Sequence, residues 1–146
     1  MSPSDATNKA TRREWRELGF FYEGKNGEWR LVGSKDGLLK FRDLLLEYVK
    51  DPRNATISEH EHYGPYMYLE ITTSQKADIN EHCIEGTLFD LERLAHLIDT
   101  ELARATPGAL IDVGKKYCSN GILRLEVKES GFDPASADNA LPRENQ

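Results

Sequence analysis

Cysteine is scarce in this sequence. Cys83 and Cys118 stand alone and far apart, and two such thiols make no disulfide framework. Long apolar runs are missing too, since none approaches the roughly 20 residues that a membrane span requires. Positive charge is in short supply: Lys and Arg number 19 against 25 Asp and Glu, for a formal net charge of -6. That balance disfavours a nucleic-acid binder working by bulk charge, because such binding rests on cations that neutralise phosphates. It equally disfavours a sensor of anionic membranes. No GxSxG, Walker loop or GxGxxG occurs, so nothing announces a nucleophile elbow or a phosphate cradle. The opening residues MSPSDATNKA lack the apolar segment of a signal peptide. Together these absences predict a soluble, cytoplasmic protein with free thiols and with neither nucleic acid nor membrane as partner.

What is present suits one domain. A chain of 146 residues buries enough surface to hold a core without disulfides or metal. Residues 1–13 are polar and aperiodic and read as a disordered arm. Residues 132–146, rich in Pro, Asp, Asn and Ala, read as a flexible tail, with Phe132 free to dock. The small charges of the two ends oppose each other, so the acidity belongs to the domain between them, residues 14–131.

That domain reads as hairpin, helix, hairpin, helix, hairpin. Phe20, Phe21 and Tyr22 start a strand, Asn26-Gly27 supplies the left-handed turn positions, and Trp29 to Val32 return. Ser34 caps a helix whose apolar stripe is Leu38, Phe41, Leu45 and Tyr48, stopped by Asp51-Pro52. Residues 54–65 read as a polar connection, and 66–73 as a strand with Met67, Leu69 and Ile71 on one side and Tyr66, Tyr68 and Glu70 on the other. A weaker strand covers 78–85. Thr87 and Asp90 form a capping box before a second stripe of Leu91, Leu94, Ile98 and Leu102. A last hairpin joins 110–117 to 122–128 around Ser119-Asn120-Gly121. Superposing Gly33-Ser34 on Gly86-Thr87 matches Leu38 with Leu91, Phe41 with Leu94, Leu44 with Leu97 and Leu45 with Ile98. This weak repeat suits shared ancestry or simply two generic strand-cap-helix units. The expected fold is a two-layer α+β domain: a roughly six-stranded, mainly antiparallel sheet with two helices on one face, in the order ββαββαββ. The other face would carry Glu28, Arg30, Tyr66, Tyr68, Glu70, Arg124 and Glu126, open to solvent or a partner.

Two local features bear on function. The first is the run SEHEHYGP. In an extended segment His60 and His62 point to the same side, and an H-x-H pair supplies two metal-ligand positions. A site needs at least a third, from His82, Cys83, Glu59 or Glu61, and spacing alone does not bring them together. The plainer reading is a polar loop that caps the hairpin or serves as an interaction surface. The second is Tyr63, Tyr66 and Tyr68 around Gly64-Pro65. Tyrosines on an otherwise polar face are anchors of protein interfaces or cross-strand cover for arginines. Trp15 and Trp29 read as core or sheet-edge packing, and Cys83 as a small core residue. The carboxylates are scattered, and no catalytic residue or cofactor is assigned.

At SEHEHYGPYMYLEITT, with GFFYEGKNGEWRLVGSKDGLLKFRDLLLEY upstream and IEGTLFDLERLAHLI downstream, the chain resembles a family of small bacterial proteins predicted to be immunity proteins of polymorphic toxin systems. The resemblance spans about Trp15 to Phe132 and carries over no established functional residues. It implies a cytoplasmic, antitoxin-like binder that blocks a cognate toxin by contact. The expected function is therefore a non-enzymatic binding protein, a monomer or homodimer, whose partner surface includes Glu59, His60, Glu61, His62, Tyr63, Tyr66 and Tyr68. The alternatives are a small metal-binding domain or metal-dependent enzyme built on His60 and His62, and a regulatory domain holding a small ligand in a cleft.

Overall fold

The computed structural model describes residues 4–143. It is an α+β protein with two four-stranded mixed sheets in place of a single antiparallel one. Helix α1 (Asp5–Leu18) is followed by the hairpin β1 (Phe21–Lys25) and β2 (Glu28–Ser34), then α2 (Lys35–Lys50). After a 3-10 turn come β3 (His60–Tyr63), β4 (Leu69–Thr73), β5 (Asp78–Ile79), β6 (Ile84–Gly86) and α3 (Leu88–Arg104). The chain closes with β7 (Leu110–Asp112), the one-turn α4 (Gly114–Tyr117), β8 (Ile122–Lys128) and a 3-10 turn at Pro134–Ala137.

The two sheets share one plan. Their strand orders are β1-β2-β8-β7 and β3-β4-β6-β5. In each, two antiparallel hairpins join along a parallel central pair, β2 with β8 and β4 with β6. The first hairpin is local and legible; Asn26 and Gly27 take φ 55° and 78°, as a tight primed turn needs. The hairpin expected of 66–73 with 78–85 is not formed, because β4 pairs antiparallel with β3 and parallel with β6. The central parallel pairs join strands distant in sequence, and hydrophobic alternation does not say which hairpin meets which. That is why a single six-stranded antiparallel sheet is the natural but incorrect assembly of these hairpins. The solvent-facing set predicted for one sheet is accordingly divided: Glu28, Arg30, Arg124 and Glu126 belong to the first sheet, and Glu70 to the second.

Several boundaries also move. The connection at 54–65 contains β3, paired with β4 in the register His60↔Thr72 to Tyr63↔Leu69. Strand β4 starts only at Leu69, because Gly64, Pro65, Tyr66 and Met67 form a turn in which the Met67 N–H donates to the Gly64 carbonyl over 3.2 Å. Met67 is left-handed at φ 59° and exposed, not turned inward. The weak strand at 78–85 is itself a hairpin of β5 and β6, and the strand predicted over 110–117 stops at Asp112 and gives way to α4.

Helices α2 and α3 follow their sequence signals closely. The Ser34 hydroxyl accepts from the Gly37 N–H at 3.1 Å. The capping box is complete, with Asp90 N–H donating to Thr87 Oγ1 at 3.0 Å and Thr87 N–H to Asp90 Oδ2 at 3.2 Å. Both leucine-rich stripes are buried in one core shared by the two sheets. Gly37 is required because a Cβ there would meet the Gly19 carbonyl oxygen at 2.1 Å, so α2 starts tightly against the end of α1.

The chain ends differ from expectation. Residues 5–13, read as part of a loose arm, belong to α1, which Ser4 caps and Gly19 terminates at φ 95°. The described part of the tail is also ordered, with Asp133 capping the last 3-10 turn. Residues 1–3 and 144–146 of the predicted arm and tail lie outside the described residues. Neither end carries a local apolar stripe; each is fixed by the other. Trp15 of α1 is 1% exposed, and Arg16 makes two hydrogen bonds to Asp133, of 3.1 and 2.9 Å. A polar helix of this length is marginal alone and persists through such tertiary anchors. Among the described residues, no helix is long and apolar enough to cross a membrane.

Candidate functional site

The site lies at the seam between the two sheets, where two phenols and an indole tie them together. The Tyr22 hydroxyl donates to the Tyr63 carbonyl (2.8 Å) and accepts from the Tyr68 N–H (3.2 Å). Trp29 Nε1–H donates to the Asn80 carbonyl (2.7 Å), and the Tyr117 hydroxyl to the Glu85 carbonyl (2.7 Å). Tyr48 adds a bond from α2 to the Glu59 carbonyl, at 2.8 Å. Burial pushes the Tyr22 and Tyr117 hydroxyls upward, so they remain protonated donors.

Beside this seam opens a cleft of about 450 Å³. Trp15 of α1 stands between Phe21 and Tyr22 of β1, with ring centroids 4.9 and 5.0 Å away. Trp29 of β2 lies 6.3 Å from Tyr22. Tyr66, in the turn before β4, meets Trp15 edge-on at 6.1 Å, and Tyr68 follows at 5.6 Å. Asp138 from the C-terminal segment also lines the cleft, as do Glu23, Glu81 and His82.

Asp138 organises the aromatic wall. It is 8% exposed, and its Oδ2 accepts from Trp15 Nε1–H at 2.9 Å and from the Tyr66 hydroxyl at 2.6 Å. Its Oδ1 accepts from the Ala140 N–H at 2.9 Å. A buried carboxylate with three donors is well satisfied, and breaking the set would leave costly unpaired groups. Burial first, and then the Asp138 carboxylate, push the Tyr66 hydroxyl well up. The turn is held just as firmly. Gly64 sits at φ 83°, where a Cβ would meet the Tyr22 ring at 2.4 Å, so the chain runs directly against that ring.

The residues singled out in the sequence separate into two groups. Tyr66 and Tyr68 join Trp15 and Trp29 in the cleft. Tyr63 is half-buried behind it and contributes its carbonyl. Glu59, His60, Glu61 and His62 lie on or beside β3, which is an edge strand, and all four are exposed. The two imidazoles do share a side, with ring centroids 5.3 Å apart. His62 Nδ1–H donates to the Met67 carbonyl at 3.0 Å, and Nε2 lies 3.7 Å from Glu70. The His60 ring bonds the Ser58 carbonyl at 3.1 Å. Among the described residues, no group of three or more His, Cys, Asp or Glu could hold a metal. Of the third ligands considered, His82 stands at the rim of the cleft. Cys83 is buried, with its Sγ 3.1 Å from Glu85 Oε2, and burial pushes its thiol up to about 12.

Sequence reasoning missed Asp138, Glu23, Glu81 and the part played by the two tryptophans. A lone Trp15 in a polar stretch was a usable signal that something covers it. Nothing marked Asp138, because its role depends on two donors far away in the chain. No family model, curated protein or solved structure matches the chain.

Proposed function

We propose that this chain is a non-enzymatic, cytoplasmic binding protein that engages a protein partner through the turn Tyr66-Met67-Tyr68, the cleft beside it and the exposed edge strand β3. The observation that carries this reading is the exposure of that turn. Tyr66, Met67 and Tyr68 are 42%, 58% and 69% accessible, on backbone that Tyr22 and Gly64 hold in place. Aromatic residues and methionine are enriched at interfaces, and a pre-set turn loses little entropy when a partner docks. Following the resemblance, the partner is a bacterial toxin that the chain neutralises by contact. The acidic balance would steer a basic partner toward it.

Co-expression with the product of a neighbouring toxin-like gene tests this. Rescue of growth and recovery of a complex, both lost on Met67→Glu with Tyr68→Ala, are expected. No complex and no rescue would remove the reading. The cleft itself favours a second reading, a small-ligand regulatory domain, since its volume lies within the usual range for ligand pockets. Thermal shifts against a metabolite set, absent with partner and present with a small molecule, would select it.

A further inference from the structure

We infer that the cleft receives an arginine side chain from the partner protein. The inference rests on the binding-protein reading above and specifies its chemistry. The cleft is floored by the buried Trp15 and Trp29, and the accessible aromatic faces at its mouth are those of Tyr66 and Tyr68; three carboxylates, Glu23, Glu81 and Asp138, also line it. No lysine or arginine is among its lining residues; the Arg30 guanidinium stands behind one wall, 5.8 Å from the Phe21 ring centroid and 3.3 Å from Glu23, which leaves Glu81 without a cationic partner of that kind. Aromatic faces attract a cation, and the guanidinium, planar and weakly hydrated, suits stacking with a carboxylate at its edge. Charge complementarity thus favours a cationic occupant over a neutral or anionic one.

The molecule builds the same arrangement internally. The Arg93 guanidinium lies 4.9 Å from the Tyr117 ring centroid, donates to the Tyr117 carbonyl at 2.9 Å and sits 3.5 Å from Asp90. At the cleft, the carboxylates differ in how far they are already engaged. Asp138 is committed to Trp15 and Tyr66, and Glu23 is 3.3 Å from Arg30. Glu81 has His82 at 3.4 Å, which is a cation only when protonated. Glu81 is therefore the carboxylate with most to offer an incoming guanidinium. The apolar exposure of Met67 and Tyr68 continues outside the cleft. A small cation would leave that surface bare, whereas a protein carrying the arginine would cover both.

The test uses the intact protein and its own fluorescence, because its two tryptophans both line the cleft. The probes are acetyl-Gly-Arg-Gly-amide, its citrulline analogue, which is similar in shape but uncharged, and choline. The arginine peptide is expected to change the tryptophan emission saturably in the millimolar range, with the citrulline peptide about ten-fold weaker or more. Glu23→Gln with Glu81→Gln should weaken the arginine peptide several-fold at unchanged melting temperature. Tyr68→Ala, at an exposed position, should do the same if the double variant proves unstable. Equal responses to arginine and citrulline, or no saturable response, would overturn the inference. Tighter saturation by choline would overturn it in favour of a small quaternary ammonium ligand. A toxin complex that survives these variants sinks the arginine assignment alone, whereas the absence of any partner sinks the reading beneath it.

Discussion

Helices α2 and α3 stand in contrast to helix α1 and the C-terminal segment that covers it. The first two carry their own side-chain caps and a continuous buried stripe. Helix α1 has a cap at Ser4, but only Asn8 and Trp15 are buried along it. Its partner, the segment from Asp133 to Asp138, contributes a 3-10 turn and two anchoring carboxylates. One pair is held by area and the other by points. Area-based packing is redundant, so the loss of one group leaves the rest. Point anchoring is not, and the same points also build the aromatic cleft. Order at the chain ends and the shape of the candidate site are therefore one property here.

The contrast can be broken most strongly at Trp15. Trp15→Ala should cost about 3–5 kcal/mol in chemical denaturation. Amide hydrogen exchange should show α1 and residues 133–138 losing protection first while α2 and α3 keep theirs. Leu91→Ala should cost a comparable 2–5 kcal/mol but lower protection throughout, because its cavity opens in the shared core. If the two variants gave the same exchange pattern, the division into area and points would fail.

Asp138→Ala should cost about 2–3 kcal/mol by leaving the Trp15 and Tyr66 donors unpaired. It should also shift the tryptophan emission, which a remote core variant would not. Thr87→Ala should cost about 1 kcal/mol by removing half of a reciprocal cap, with no change at the cleft.

The smallest expected effect concerns acid. The Arg16 guanidinium holds the Asp133 carboxyl below its ordinary value of 3.8. The pair therefore stabilises the ends above that value, and the contribution fades as pH falls through the lowered folded value. Because the pair is partly exposed, it is worth no more than about 1 kcal/mol. The increase in α1 fraying as pH falls, seen by exchange, should be smaller in Asp133→Asn than in wild type, because the variant lacks the ion pair already at neutral pH and converges with wild type in acid. An equal pH dependence in both would show that another group governs the end.

Legibility followed the range of each interaction. Ser34, the Thr87–Asp90 box and the Asn26-Gly27 turn act within a few residues, and each was readable in advance. The identical hairpin-parallel-hairpin plan of the two sheets was not, although the weak repeat around Gly33-Ser34 and Gly86-Thr87 marks equivalent strand-to-helix entries in both. At the site, Tyr66 and Tyr68 stand out in the sequence as aromatics in a polar context, which suits an interface anchor or cross-strand cover alike; their exposure is a result of the fold. The strand expected around them was not formed, since Gly64 and Met67 at positive φ make a turn that alternation alone does not reveal.

By itself, then, the sequence determined the α+β class, both amphipathic helices with their caps, the hairpin turned at Asn26-Gly27, and the shortage of positive charge. Each follows from propensity, spacing or composition within a short stretch. Only the tertiary structure decided that β2 lies beside β8 and β4 beside β6, that the polar chain ends are ordered, and that Trp15, Trp29, Tyr66 and Tyr68 meet over Asp138. Those results depend on groups that come together only when the core closes, and a buried carboxylate has value as an anchor only once its distant donors have arrived.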